Sequence, residues 1–137
     1  IGNIVLVELG STNYGYEASY AHPCIILANG WNWALVIPCS TGRYFKKSEF
    51  IIPADVKDGF KHPTGIQLDK IRVVDKWRIK GKVLGDVSNN KLVEVSNRLI
   101  ELYFEPFKKR LDMLEVENSK LKDQIKELQE KISNSEA

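Results

Sequence analysis

The stretch Ile66-Gln-Leu-Asp-Lys-Ile-Arg-Val-Val-Asp-Lys-Trp-Arg78 decides how this chain is read. Apolar residues alternate at Ile66 and Leu68, slip in phase across Asp69-Lys70, and resume at Ile71 and Val73. Period-two alternation predicts a strand, and a slip of one residue predicts a bulge within it. Lys70, Arg72, Lys76 and Arg78 punctuate the stretch, with Trp77 among them. Such a bulged edge can hold a nucleic-acid backbone on its cations and stack a base on its ring. The plainer alternative is a half-solvated strand.

Outward from this stretch, the first half of the chain consists of short β-rich runs at Ile4–Leu9, Cys24–Leu27, Trp33–Ile37 and Phe50–Ile52. Glycine- and asparagine-bearing loops separate them. Strands at that spacing predict a small antiparallel barrel or a tightly coiled sheet. The connection from Gly10 to Ala21 is long and carries Tyr14, Tyr16 and Tyr20. Loops of that length in a compact domain are often functional, and the tyrosines suit base stacking as well as surface packing. A helix is expected from Ser88, whose hydroxyl can cap free backbone N–H groups, with Val87 and Leu92 as a hydrophobic staple. Leu92, Val95, Leu99 and Leu102 then form one apolar face, and Pro106 ends or kinks the helix.

Beyond it, Phe107, Leu111, Leu114, Asn118, Leu121, Ile125, Leu128 and Ile132 recur at spacings of four and three. In heptads, Leu111, Asn118, Ile125 and Ile132 take the a positions; Leu114, Leu121 and Leu128 take d. Leucine at d, with β-branched residues and one Asn at a, favours a parallel two-stranded coiled coil. Arg110 can meet Glu115 of the partner helix, and Glu117 can meet Lys122. The alternative is a helix folded onto its own body. The expected domains are residues 1–104 and a coiled-coil helix over 105–137.

Composition sets the outer limits. The length of 137 residues suits one domain with an appendage. Residues 1–104 carry 13 Lys/Arg against 10 Asp/Glu, and residues 105–137 carry 7 against 8, so the body alone is mildly basic. That permits phosphate contacts without the excess typical of a dedicated DNA-binding domain. No apolar run approaches the roughly 20 residues of a membrane helix, and nothing before the first strand reads as a signal peptide. No membrane association and a cytoplasmic location are the expectations. Cys24 and Cys39 stand in apolar runs, where free cysteine is usually a small core residue. No ligand cluster is spaced to complete a metal site, and no cofactor is expected.

The quoted stretch resembles the "(L)xQIRTIDKxR" strand of the PemK/MazF family of toxin endoribonucleases. Three further segments are similar to family motifs, in the family's order. Gly2-Asn-Ile-Val-Leu-Val-Glu-Leu9 resembles the opening strand, "GDIxxxDL". Gly15-Tyr-Glu17 followed by His22-Pro23 resembles "GSE" followed by "RP", and Pro38-Cys-Ser-Thr41 resembles "P-I-T-S". Val83 to Leu102 is similar to the connection into the family's terminal helix. The resemblance covers about residues 1–104 and leaves the coiled coil unexplained. It implies a mainly β, SH3-like antiparallel barrel of the PemK/MazF (CcdB-like) type, here followed by a helix and a parallel dimeric coiled coil.

What the resemblance implies about function is the toxin component of a type II toxin–antitoxin system. Such a toxin is a homodimer that cuts single-stranded RNA without a metal and is neutralised by a small antitoxin protein. The ribose 2′-OH attacks the adjacent phosphate, leaving a 2′,3′-cyclic phosphate and a 5′-OH. The family positions tied to catalysis correspond here to His22 and Ser40, with Thr41 one residue on and Glu17 placed to orient His22 or accept a proton. His22 stands where the family has Arg. The exchange removes a phosphate fork and supplies a group suited to acid–base work. Arg43 is a candidate to restore the charge, and Lys46, Lys47, Lys70, Arg72, Lys76, Trp77 and Arg78 are candidate RNA contacts. His62-Pro63, a second such pair, reads as structural. The alternatives are a PemK-like binding protein without catalysis and a gyrase-directed, CcdB-like toxin, either dimerised through the coil.

Overall fold

The computed structural model describes residues 1–11 and 20–136; Tyr14, Tyr16 and Glu17 lie outside them. The strands are β1 (Asn3–Glu8), β2 (Ala21–Asn29), β3 (Trp33–Ser40), β4 (Ile51–Ala54), β5 (Thr64–Gln67), β6 (Arg72–Asp75) and β7 (Ile79–Asp86). Two helices follow, α1 (Asn89–Tyr103) and α2 (Glu105–Glu136). Contacts divide the chain into two compact units, residues 1–97 and a second unit that begins at Arg98.

The first unit is one antiparallel sheet in the order β4-β5-β3-β2-β1-β7, with β6 also paired to β3. β3 is its hub. One edge of β3 pairs with β2; the other takes β6 along Trp33–Val36 and β5 at Cys39–Ser40. The single bulged strand expected over Ile66–Arg78 is therefore two strands. Between Val36 and Cys39 β3 advances three residues, while the opposing chain advances six, from Ile66 to Arg72. A 3-10 turn at Leu68–Lys70, not a one-residue bulge, takes up the difference. Leu68 is fully buried and anchors that turn. Val73 lies on the same sheet face as Ile66 yet is 59% exposed, whereas Val74 on the other face is core. Twist lets the two ends of a coiled sheet cover opposite faces, which local alternation cannot reveal.

One core cluster gathers Val5, Val7 and Leu9 of the first strand region with Cys24, Ile26, Ala34, Val36 and Val74, and Ile79 packs against it. The opposite face buries Ile25, Ile37 and Ile66 completely. The sheet is an open coil rather than a closed barrel: among the described residues no ladder joins β4 to β7. β1 advances two residues, Ile4 to Leu6, while β7 runs back five, Gly85 to Lys80, so Gly81–Leu84 bulges from the sheet. Gly81 has φ +72° there, a left-handed backbone that suits glycine. The bulge interrupts the regular edge that closure would need.

α1 starts as expected, the Lys91 N–H donating to Ser88 Oγ at 3.3 Å. In the second unit the helix breaks for one residue at Phe104, with Pro106 early in α2. Main-chain bonds Phe104 N to Ile100 O (3.0 Å) and Lys108 N to Phe104 O (2.9 Å) flank the break. No residue of α2 is buried, and Leu114, Leu121, Ile125, Leu128 and Ile132 are each about half exposed. Among the described residues no helix is long and apolar enough to cross a membrane, and none form a cluster of three metal-ligating side chains.

Both cysteines are free and buried. Burial pushes the Cys24 thiol up to about 12, against the pull of Arg72. Burial, followed by the nearby Cys24, raises Cys39 as well. A thiol raised in this way stabilises the fold fully below its ordinary pKa of 9.0 and loses that contribution as pH climbs toward the folded value. Equilibrium unfolding followed against pH will show a midpoint falling above pH 9, less steeply in Cys24→Ala. A thiol reagent at pH 8 will label neither cysteine until the protein unfolds.

Candidate functional site

The site is assembled at the end of the sheet where β2 begins and β3 ends. β2 lies between β1 and β3, with Val7 paired to His22 and Cys24 paired to Pro38. Continuing the β2–β3 register by two residues sets His22 across from Ser40. The half-buried His22 ring reaches β3 directly, with Nδ1 3.3 Å from the Cys39 carbonyl oxygen. Side chains two residues apart share a sheet face, so His22 and Ser40 stand on the face of Cys24, Val36 and Pro38.

Arg72 joins that face because it pairs with Val36. Its Nη1 donates to the Leu9 carbonyl at 3.3 Å, and its charge acts on the Cys24 thiol. Arg78 Nη1 donates to the neighbouring Glu8 carbonyl at 3.1 Å. Both guanidiniums are thus fastened at the end of β1, where the segment carrying Glu17 departs. The stalk of that segment is closed by Leu9 N to Tyr20 O and Tyr20 N to Gly10 O, both 2.8 Å. Tyr20 is exposed and has φ 63°, the one non-glycine residue with positive φ among those described. The Glu8 carboxylate accepts from Gly10 N at 2.9 Å and tightens the same corner.

Past Ser40, Thr41–Arg43 forms a 3-10 turn that the Ser40 side chain does not cap. The turn lies directly on β5: a Cβ built on Gly65, the partner of Ser40, would come within 2.7 Å of the Arg43 backbone. Thr41 is exposed at the edge of a cleft of about 140 Å3 that Pro23, Phe60, His62 and Leu84 also line.

The remaining candidate cations fall elsewhere. Arg43, Lys46 and Lys70 line a cleft of about 290 Å3 with Gln67 and Asp69, and Lys47 is an exposed neighbour in sequence. Lys76 and Trp77 border a third cleft, about 420 Å3, with Trp31, Asn32 and Asp75. Trp31 and Trp77 are 92% and 86% exposed, and Lys76 N donates to Asn32 O at 3.0 Å. That cleft lies by the β2–β3 turn, about seven residues or ~23 Å of strand from His22. The basic run that looks continuous in sequence is therefore split among three places. Of its members, Arg72 and Arg78 go to the His22 end. Sequence reasoning did not foresee the Cys39, Leu9 and Glu8 carbonyls as anchors, since main-chain groups carry no residue signature. The His22-x-Cys24-x-Ile26 alternation was the available hint that His22 shares the core face.

Residues 1–103 match the family described as PemK-like, MazF-like toxin of type II toxin–antitoxin system. The chain belongs to that family. Solved structures share the toxin fold at low identity. The MazF-mt6 toxin of Mycobacterium tuberculosis is 15% identical, with 72% of this chain and 93% of that one covered and a TM-score of 0.57. MazF of Deinococcus radiodurans is 20% identical, with 74% and 92% covered and a TM-score of 0.60. An endoribonuclease from a mycobacterial species, in complex with its cognate antitoxin, is 18% identical, with 73% and 87% covered and a TM-score of 0.52. No curated protein matches the sequence.

Gly65→Ala tests how the turn is held. Main chain cannot give way as a flexible side-chain end can, so the fold should lose about 1–3 kcal/mol. Denaturant unfolding will give that loss, and backbone NMR shifts will change across Ser40–Arg43.

Proposed function

We propose that this toxin-family chain is an endoribonuclease that cuts single-stranded RNA, without a metal, at the end of the β2–β3 ladder. The observation that carries the reading is the contact between His22 Nδ1 and the Cys39 carbonyl. A carbonyl oxygen only accepts, so the contact calls for the proton on Nδ1 and leaves the Nε2 lone pair available as a base. In this scheme Nε2 takes the 2′-OH proton as the 2′-oxygen attacks phosphorus. The P–O5′ bond breaks, the 5′-oxygen takes a proton from water, and the products are a 2′,3′-cyclic phosphate and a 5′-OH. Arg72, on the same face, offsets charge on the phosphorane oxygens, with Arg78 beside it at the β1 end. The Ser40 hydroxyl, not spent on capping, donates to the same oxygens, and Thr41, next in the chain, borders the neighbouring cleft of about 140 Å3. Glu17 is proposed as the residue that orients His22. Arg43, Lys46, Lys47 and Lys70 serve the RNA backbone further along, and Lys76 and Trp77 a more distant segment.

The proposed partners are a small antitoxin protein and a second copy of the chain. A structural neighbour was solved with its cognate antitoxin, and the mildly basic body suits an acidic antitoxin segment. The second copy joins through the body and through α2. The exposed a/d stripe, with Leu111, Leu114, Asn118, Leu121, Ile125, Leu128 and Ile132, is the seam of a parallel two-stranded coil. Residues 1–104 act as the toxin domain and 105–137 as the dimerising helix, in a cytoplasmic protein.

Incubated with a long single-stranded RNA in EDTA, the protein should give discrete cuts with 5′-OH ends. His22→Ala should slow them about 100-fold or more. Cuts that survive the substitution would move the base to another residue; intact RNA together with broken DNA would favour a gyrase-directed toxin. In sedimentation, Leu121→Glu with Leu128→Glu should lose the coil's contribution to self-association, whereas Asn118→Ile should stabilise the coil and loosen its preference for two strands.

A further inference from the structure

We infer that the cleft of about 140 Å3 beside Thr41 is a subsite for one nucleobase next to the scissile phosphate, favouring a base that sets a carbonyl oxygen beside a ring N–H, uracil or guanine. The inference rests on the ribonuclease reading and adds to it a determinant of sequence preference. Apolar walls come from Ile4, Pro23, Phe60 and Leu84, and the polar groups are Thr41, Lys61, His62 and Thr64. Walls of this kind suit the faces of a flat ring, and a few polar groups suit its edge. The volume falls well short of the roughly 300 Å3 at which pockets for larger ligands begin, so it admits a ring system but not a whole nucleotide.

Position ties the cleft to the chemistry. Thr41 follows Ser40 in the chain, and Pro23 follows His22. Strand alternation turns Pro23 to the sheet face opposite His22. The cleft is therefore behind the same strand end whose front carries His22 and Ser40. RNA crossing that end can leave its phosphate at the front and drop one adjoining base behind.

The walls are built before any ligand arrives. Asp55 and Asp58 form a reciprocal capping box, Asp55 N donating to Asp58 Oδ2 at 3.1 Å and Lys57 N to Asp55 Oδ1 at 3.1 Å. Gly59 then turns the chain at φ +108°, so close under the Asp86 carbonyl that no side chain fits. Ser88 N donates to Asp58 O at 2.9 Å, joining this loop to the start of α1. The buried Phe60 follows directly. Thr64 Oγ1 donates to His62 O at 2.8 Å, which spends its proton and leaves it an acceptor. Lys61 can only donate. Uracil and guanine each set a carbonyl oxygen for that donor beside a ring N–H for the Thr64 acceptor, whereas adenine has no carbonyl and cytosine no ring N–H. A pre-formed cleft takes its ligand with little ordering cost.

The test uses the full chain and short RNAs bearing each of the four bases, or an abasic ribose, at the nucleotides on either side of the cut. The parent should cut the RNA with the favoured base on the order of tenfold faster than the abasic one, the scale of one base contact. Leu84→Trp, which fills the cleft from a partly exposed position, should bring that ratio to about one. Lys61→Met, which removes the donor without filling, should erase the preference over adenine. A base profile unchanged in both variants overturns the subsite and leaves the ribonuclease standing. NMR titration with the four nucleoside 3′-monophosphates separates the two readings. Shifts at Thr41, His62 and Leu84 with the uracil or guanine nucleotide, absent in Leu84→Trp, support the subsite even if no RNA is cut. No shift with any of the four overturns it.

Discussion

Everything in the toxin unit depends on β3 being paired along both edges. β2 occupies one edge, and the other is shared by two strands that are neighbours in sequence. The sharing is possible because a 3-10 turn inserts three residues between them and sinks Leu68 into the core. Burying one leucine contributes about 2 kcal/mol, more than the exposed Lys109–Glu105 pair in α2 can offer. The same arrangement brings Arg72 beside Val36 and hence onto the face of His22. The end of β3 delivers Ser40, and Gly65 in β5 gives the following turn a flat place to lie.

Much of this was legible in the sequence because the relevant signals are local. The strands β1, β2 and β3 follow from short β-rich runs between glycine- and asparagine-bearing loops, the Ser88 cap from residue type, and the family from four ordered motifs. That His22 belongs with Ser40 came from the resemblance, and the antiparallel register of β2 and β3 sets the two across from each other. What escaped is what depends on pairing partners. The slip at Asp69-Lys70 looks like one residue locally, and only the register against β3 reveals three. The exposed Val73 and buried Val74 depend on which face each end of a twisted sheet covers. That no ladder joins β4 to β7 among the described residues is also a matter of partners, and only Gly81 hints locally at the Gly81–Leu84 bulge. The division of the basic run between two clefts and the His22 end has the same origin, since a 3-10 turn on each side of β6 sends its flanks to different places.

His22-Pro23 resembles a family motif that begins with arginine, and on the proposed reading that difference changes how charge is distributed. A guanidinium there would combine phosphate binding with a fixed charge. In the proposed reaction, histidine takes the proton transfer and leaves the charge to Arg72 on the same face. The two thiols nearby take no part in such chemistry: their burial keeps them protonated, and a protonated thiol is a poor nucleophile.

His22, Arg72 and Arg78 are each fastened to a carbonyl of the main chain, those of Cys39, Leu9 and Glu8. Every residue type offers that acceptor. The side chains at positions 8, 9 and 39 are therefore free of any duty to hold the site and answer only to packing and to their own corner of the fold. Sequences can drift at those positions while the anchorage persists, so distant relatives can keep the same arrangement of charges on strands that share few identities.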